Sequence, residues 1–198
     1  MFMFPDTKRD FSALIVATAL ILFICSFIFP FIILYITRDS FFRPDTYWIF
    51  ESPFAAYILL MMGILFISIG LFLFLSVKKR QGKALAWVSF TISLFISLTL
   101  MIISVFNYYY FNEKGLYYNH LFSIKESHYG WDDFEKMIQV SEKEKGTTRL
   151  KELIFVTSDG REISFPFQDH FWSHLNKINS LLQRSGVPVE EQTIVIDG

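Results

Sequence analysis

The chain has 198 residues, of which 53% are hydrophobic and 19% aromatic, with a mean hydropathy of +0.38. Its 18 basic and 19 acidic side chains nearly cancel, but residues 1–106 carry 8 basic and 5 acidic groups (net +3) and residues 107–198 carry 10 and 14 (net −4). The net-negative second half offers no general attraction for nucleic acid or anionic headgroups, and a single cysteine, Cys25, excludes a disulfide within the chain.

Three runs, residues 11–37, 54–77 and 84–106, contain no Asp, Glu, Lys, Arg or His. A hydrocarbon core about 30 Å thick needs roughly 20 helical residues, and each run supplies them. Lipid offers the backbone no hydrogen-bond partners, so these runs are predicted to be transmembrane helices. Residues 1–106 are thus expected as a three-helix membrane region. The first run is about twice the length of a signal-peptide core and is closed by no small-x-small site, so it is expected to remain in the mature protein. Pro30 predicts a kink in it. Cys25 follows Ile24, where a lipoprotein site wants a small residue, and reads as a free thiol. Tyr35, Tyr47 and Trp48 flank the first loop, where amphipathic rings favour the headgroup level.

Only Lys78-Lys79-Arg80-Gln81-Gly82-Lys83 joins the second and third runs, which forces an antiparallel hairpin. Short basic loops stay in the cytoplasm. This places the N-terminus (Lys8, Arg9) and the 78–83 loop inside, and the first loop (Arg38, Arg43) and the C-terminal half outside. Ser89, Ser93, Ser97 and Ser104 on the third helix, and Gly63 and Gly70 on the second, predict close helix packing with serine hydroxyls bonding across it. Spans without ionisable groups argue against a proton relay, an ion pathway or a transporter acting alone.

From Tyr108 the pattern changes to short alternating runs. Strands are expected at residues 108–111, 116–118, 121–125, 137–140, 150–157 and 162–167, with turns at Asn112-Glu113-Lys114-Gly115 and Ser158-Asp159-Gly160-Arg161; Asp-Gly suits a tight hairpin. Ile163, Phe165 and Phe167 share one face. Asp169 is the expected cap of a helix whose Phe171, Leu175, Ile178 and Leu182 form one apolar stripe, ended by Gly186 and Pro188. Residues 187–198 read as a C-terminal tail, with 193–196 able to pair with an open strand edge. The soluble half, 107–186, is therefore α+β.

The run "FNEKGLYY", then "YGWDDFEKM", then "LIFVTSDGREISFPF" and a closing helix resembles the bacterial pleckstrin-homology-like (PH-like) domains, many of which are carried by small multi-pass membrane proteins. Trp131-Asp132-Asp133-Phe134 stands where that family has an aromatic, acidic and apolar turn. The resemblance covers about residues 107–186 and implies a partly open antiparallel β-barrel of two nearly orthogonal sheets capped by the C-terminal helix. Lipid-binding eukaryotic members have a basic pocket between their first strands. Here that turn holds Glu113 beside Lys114, so no specific anionic-lipid site is implied.

No catalytic, cofactor-binding or metal-ligating residues are expected. His170 and His174 are one helical turn apart but lack a Cys-x-x-Cys, and His120 and His128 are remote in sequence. Asp132, Asp133 and Glu135 have no neighbouring nucleophile or phosphate cradle, Trp131 reads as a sheet anchor, and Glu142 to Gly146 as a solvated turn. The expected protein is a non-enzymatic, multi-pass cell-membrane protein that presents its PH-like module to a protein partner, with an immunity or envelope-stress role suggested by analogy. The rival expectation is an accessory subunit of a transporter or channel, with Ser89, Ser93 and Ser97 lining a partner helix. A lipid-modifying enzyme would need a buried polar site near the membrane face.

Overall fold

The computed structural model describes residues 7–42, 44–121, 123, 125–144 and 147–196. The described chain divides into two compact units. One draws on residues 1–43, 52–108 and 120–124, the other on 44–51, 109–119 and 125–198.

The first unit is helical: α1 (Thr7–Cys25), α2 (Phe29–Phe41), α3 (Phe54–Arg80) and α4 (Lys83–Phe106). Helices α3 and α4 are long and apolar enough to cross a membrane, with mean hydropathies of 2.9 and 2.3 over 18 residues. The first apolar run is a broken pair, bent by 70° between α1 and α2, so the spans number two, or three if the pair is one. The break has a local cause. Pro30 cannot donate to the Ser26 carbonyl and its ring crowds it, while Pro is tolerated in the first turn of a new helix, where it sits in α2. The Ser26 hydroxyl bonds back to the Phe23 carbonyl at 2.6 Å, and Phe27, Ile28 and Phe31 make only i−3 backbone bonds.

Helices α3 and α4 form an antiparallel hairpin turning at Gln81-Gly82, with Gly82 at φ +97°. Ser93, Ser97 and Ser104 of α4 donate to the Phe66, Gly63 and Ala56 carbonyls of α3, each at 2.6 Å. A Cβ on Gly70 would come within 2.6 Å of the Ser93 hydroxyl, and one on Gly63 within 2.7 Å of Met101 Cγ, so both glycines set how closely the backbones approach. Helix α1 runs antiparallel along α3. Phe11 and Ile15 line one crevice with Leu71 and Phe74, the Ser68 hydroxyl donates to the Ala19 carbonyl at 2.8 Å, and Leu22 packs on the cluster of Leu34, Ala56, Leu60 and Ile64. The outward faces remain apolar, with Phe95 at 73% exposure, as a helix solvated by lipid requires.

The second unit holds two four-stranded sheets. The first, in the order β1-β2-β3-β4, is antiparallel and contains β1 (Ile49–Glu51), β2 (Tyr109–Asn112), β3 (Gly115–Tyr118) and β4 (Ser127–Gly130). Strand β1 comes from the loop before α3, so the sheet unit is not confined to residues after 106. The second sheet, in the order β7-β6-β5-β8, contains β5 (Phe134–Glu144), β6 (Thr147–Thr157), β7 (Glu162–Pro166) and β8 (Val189–Ile196). A single turn of 3₁₀ helix, Trp131–Asp133, links the two.

Three expectations are corrected here. The sheets do not close into a barrel, and they are not wholly antiparallel, because β8 pairs parallel with β5 from Met137↔Val189 onward. The segment read as a tail is thus a strand, through the edge pairing that was its alternative. The strand expected at 121–125 is absent from its described residues, and the sheet takes Ser127–Gly130 instead; residues 122 and 124 lie outside the described ones.

Periodicity explains the core. The register aligns Ile49, Phe111, Leu116 and Tyr129 across the first sheet, and all four are buried. The next row, Phe50, Tyr110, Tyr117 and His128, faces the other way. Helix α5 (Asp169–Arg184) buries its predicted stripe of Phe171, Leu175, Ile178 and Leu182 against both sheets. Asp169 is its first residue and not its cap; Gln168 holds that position, without a side-chain bond. Ile163 and Phe165 enter the core, with Phe167 packed at its margin. Phe111 is central, its ring 5.5–6.3 Å from those of Phe165, Phe155, Phe171 and Trp131.

Candidate functional site

Three places in the sheet unit combine chemistry-bearing side chains. The first is an aromatic clasp at the β2–β3 turn. Trp131 is buried, its indole N–H donates to the Glu113 carbonyl at 3.2 Å, and its ring stacks on Trp48 (6.1 Å, 8°). Lys177 of α5 closes the stack, with Nζ 3.9 Å from the Trp48 ring centroid and 2.5 Å from a Glu113 carboxylate oxygen. A cation over an indole face is favourable, and here the same ammonium neutralises the one acidic group of the turn.

A second feature is the aromatic row on the face of the first sheet away from the core. Tyr110 and Tyr117 stack at 4.5 Å and 5°, and Tyr117 and His128 at 4.2 Å and 29°, while Phe50 meets Tyr110 edge-on at 6.0 Å. Cross-strand pairs of this kind stabilise a sheet.

The third is a polar cleft of about 250 Å³ at the β6–β7 turn, lined by Tyr129, Asp133, Thr157, Ser158, Asp159 and Arg161. Arg161 pairs with Asp159 (2.5 Å) and lies over the Tyr129 ring. That guanidinium, with the Thr157 hydroxyl bonded to the same carboxylate, holds the Asp159 carboxyl well below the usual carboxylate range. The Asp133 carboxylate accepts the Gly130 N–H at 2.6 Å, and its carbonyl accepts both Ser158 donors. The Asp133 and Asp159 carboxylates thus hold the turns at residues 130–133 and 157–161.

The other sequence-selected residues scatter. Asp132 and Asp133 belong to the 3₁₀ turn and Glu135 to β5, while His128 ends the aromatic row. His174 is on α5, and the side chain of His170 lies outside the described ones, as do residues 145 and 146 of the charged turn. Among the described residues no three His, Cys, Asp or Glu side chains gather as metal ligands. Ser93 and Ser97, expected by the rival reading to line a partner helix, are bonded to α3 of the same chain; Ser89 bonds the Ala86 carbonyl of its own helix.

The sequence reading missed Trp48 as the partner of Trp131 and Lys177 as the partner of Trp48. It also missed that β8 is an edge strand, with β5 its one strand neighbour among the described residues and Ile194 and Val195 exposed. Trp48-Ile49-Phe50, three strand-forming residues before Pro53, was the available signal for β1. Comparison with protein families, with curated proteins and with solved structures gives no match for this chain. Function therefore rests on geometry alone.

Proposed function

We propose that this chain is a non-enzymatic, multi-pass membrane protein whose sheet unit is a PH-like module that docks a protein partner at the membrane surface. The observation that carries the reading is β8. It is an edge strand eight residues long, pairing with a strand on one side only among the described residues and exposing Ile194 and Val195, a template for strand addition. Three consecutive strands, a second set of hairpin strands and a packed closing helix support the PH-like reading; β1 and β8 are additions to that plan.

Three spans are supported by α1, which accompanies α3 from Phe74 to the level of Ile64, so the bent pair covers most of the depth that α3 covers. The pairing of β1 with β2 requires residues 49–51 and 109–112 to lie on one side of the bilayer, whichever side that is. Two crossings by α3 and α4 meet that parity. The basic turn between them favours the cytoplasm for itself and the outside for the module. The transporter-subunit reading gains nothing, since Ser93 and Ser97 are already used within the chain.

A photo-crosslinking residue at Val195, in the full chain in its native membrane, tests the docking. One discrete protein adduct is expected from position 195, none from Gln183 on the exposed side of α5, and loss of the adduct with Ile194→Lys. Adducts from both positions, or from neither, overturn the reading.

A further inference from the structure

The crevice where α1 meets the α3–α4 hairpin has a graded chemistry that the docking function does not use. Its walls are wholly apolar: Phe11 and Ile15 of α1, Leu71 and Phe74 of α3, and Trp87 and Phe90 of α4 line an open cleft of about 190 Å³. At the end nearest the turn this lining gives way to cations on both helices. Leu71, Phe74 and Lys78 are spaced at three and four residues, as are Phe90, Trp87 and Lys83 read backwards, so each helix carries two wall residues and then a cation along one stripe. The Lys78 ammonium lies 5.7 Å from the Phe74 ring centroid and 5.8 Å from that of Phe11, at the mouth of the crevice. One turn of helix, about 5.4 Å, separates apolar wall from charged rim.

The sequence at this rim is densely basic. Lys78, Lys79, Arg80 and Lys83 fall within six residues with no acidic residue between them, and none forms an ion pair among the described residues. An apolar slot within a lipid-facing bundle, ending in ammonium groups that form no ion pair among the described residues, matches one amphiphile: an acyl chain joined to a headgroup of net negative charge. Zwitterionic lipid would fill the slot equally well but leave the rim's net positive charge unanswered.

We propose that this crevice is a site for one anionic phospholipid, with an acyl chain against Phe74, Trp87 and Phe11 and the phosphate between Lys78 and Lys83. The site belongs wholly to the helical unit, apart from the docking strand β8. It makes the basic turn a lipid-reading element as well as a topological one.

Trp87 lines the slot and reports its occupancy. The full chain is placed in phosphatidylcholine nanodiscs in which about 10 mol% of the lipid carries a brominated acyl chain, either as phosphatidylglycerol or as phosphatidylcholine. The Trp87 contribution is isolated as the difference between wild type and Trp87→Phe. Quenching by the brominated phosphatidylglycerol is expected to correspond to an association about fivefold or more above that of the phosphatidylcholine. The preference should fall toward unity with Lys78→Gln/Lys83→Gln and weaken as salt is raised. Equal quenching by the two lipids in the wild type, a comparison that needs no charge variant to fold, overturns the site. So does a preference that survives the double substitution.

Discussion

Lys177 of α5 places its ammonium 3.9 Å from the centre of the Trp48 ring, joining the last helix of the sheet unit to a strand delivered from the loop before α3. Trp48 lies in turn on Trp131, so a three-layer stack holds β1 against the unit's core. β1 is three residues long and cannot hold by backbone bonds alone; its side chains must supply the attachment. Trp48→Ala is expected to destabilise the sheet unit by about 2 kcal/mol, below the range for a fully buried Trp because Trp48 is half-buried. Lys177→Met, which keeps the stem and removes the charge, should cost about 0.5–1 kcal/mol. A double-mutant cycle by thermal melting, followed in the near-UV circular dichroism of the aromatic stack, should return a coupling between the two; additive effects would show that the contact is energetically idle.

Helix packing in the first unit is predicted to be sensitive to volume at one pair of positions. A Cβ at Gly70 meets the Ser93 hydroxyl oxygen at 2.6 Å and Ser93 Cβ at 2.8 Å. Gly70→Ala should therefore destabilise the α3–α4 hairpin by about 1–3 kcal/mol in detergent titrations. Adding Ser93→Gly removes both clashing atoms and should recover most of that loss, despite the hydrogen bond to the Phe66 carbonyl that goes with it, because such bonds between membrane helices average only about 0.6 kcal/mol. Failure of the second substitution to rescue would place the strain elsewhere.

Gly115 carries two independent constraints. Its φ of +151° is a conformation open essentially to glycine, and a Cβ there would fall inside van der Waals contact with the Tyr129 carbonyl oxygen, backbone that cannot swing aside. Asn112 fixes the turn by accepting the Lys114 and Gly115 N–H groups on its side chain. Gly115→Ala should cost about 3 kcal/mol or more, whereas Gly160→Ala, positive in φ at +79° but with open space around it, should cost about 1 kcal/mol. Similar melting shifts for the two would contradict the close approach of β3 to β4.

What the sequence made legible follows the range of the interactions involved. The α5 stripe and the Asp159-Gly160 hairpin depend on residues a few positions apart, and both were readable from spacing. The serine face of α4 was readable for the same reason, although nothing local distinguished Ser89, which bonds its own helix, from Ser93 and Ser97, which bond α3. β1 was hidden because its partner Tyr110 lies beyond two whole helices, and three residues give no measurable alternation. The second half of β8 was legible as a segment able to pair with a strand edge, but its parallel partner was not, because the pairing with β5 must cross over two strands and a helix. The break before Pro30 was foreseen as a kink, but the bend of 70° needs the additional loss of bonds around Ser26. Of the clasp, Trp131 announced itself as an anchor, whereas Lys177 looked like any solvated helical cation until Trp48 was placed beneath it.

The Asp159–Arg161 pair gives the sheet unit a pH dependence of definite sign. The Arg161 guanidinium first, and the Thr157 hydroxyl second, favour the ionised carboxylate, so its pKa in the folded chain lies below the value of about 4 it has when unfolded. A carboxyl depressed on folding contributes stability that is fully present above its unfolded pKa and is lost as pH falls toward its folded one. Both side chains are more than half exposed, so the contribution is modest and screened by salt. Asp159→Asn abolishes it at every pH. The melting temperatures of wild type and variant should therefore differ by a constant amount from about pH 5 to pH 7 and converge as pH is lowered through about 4 and below. A gap that stayed constant down to acid pH would assign the role of Asp159 to its neutral hydrogen bonding with Thr157, and one that widened there would reverse the sign of the coupling.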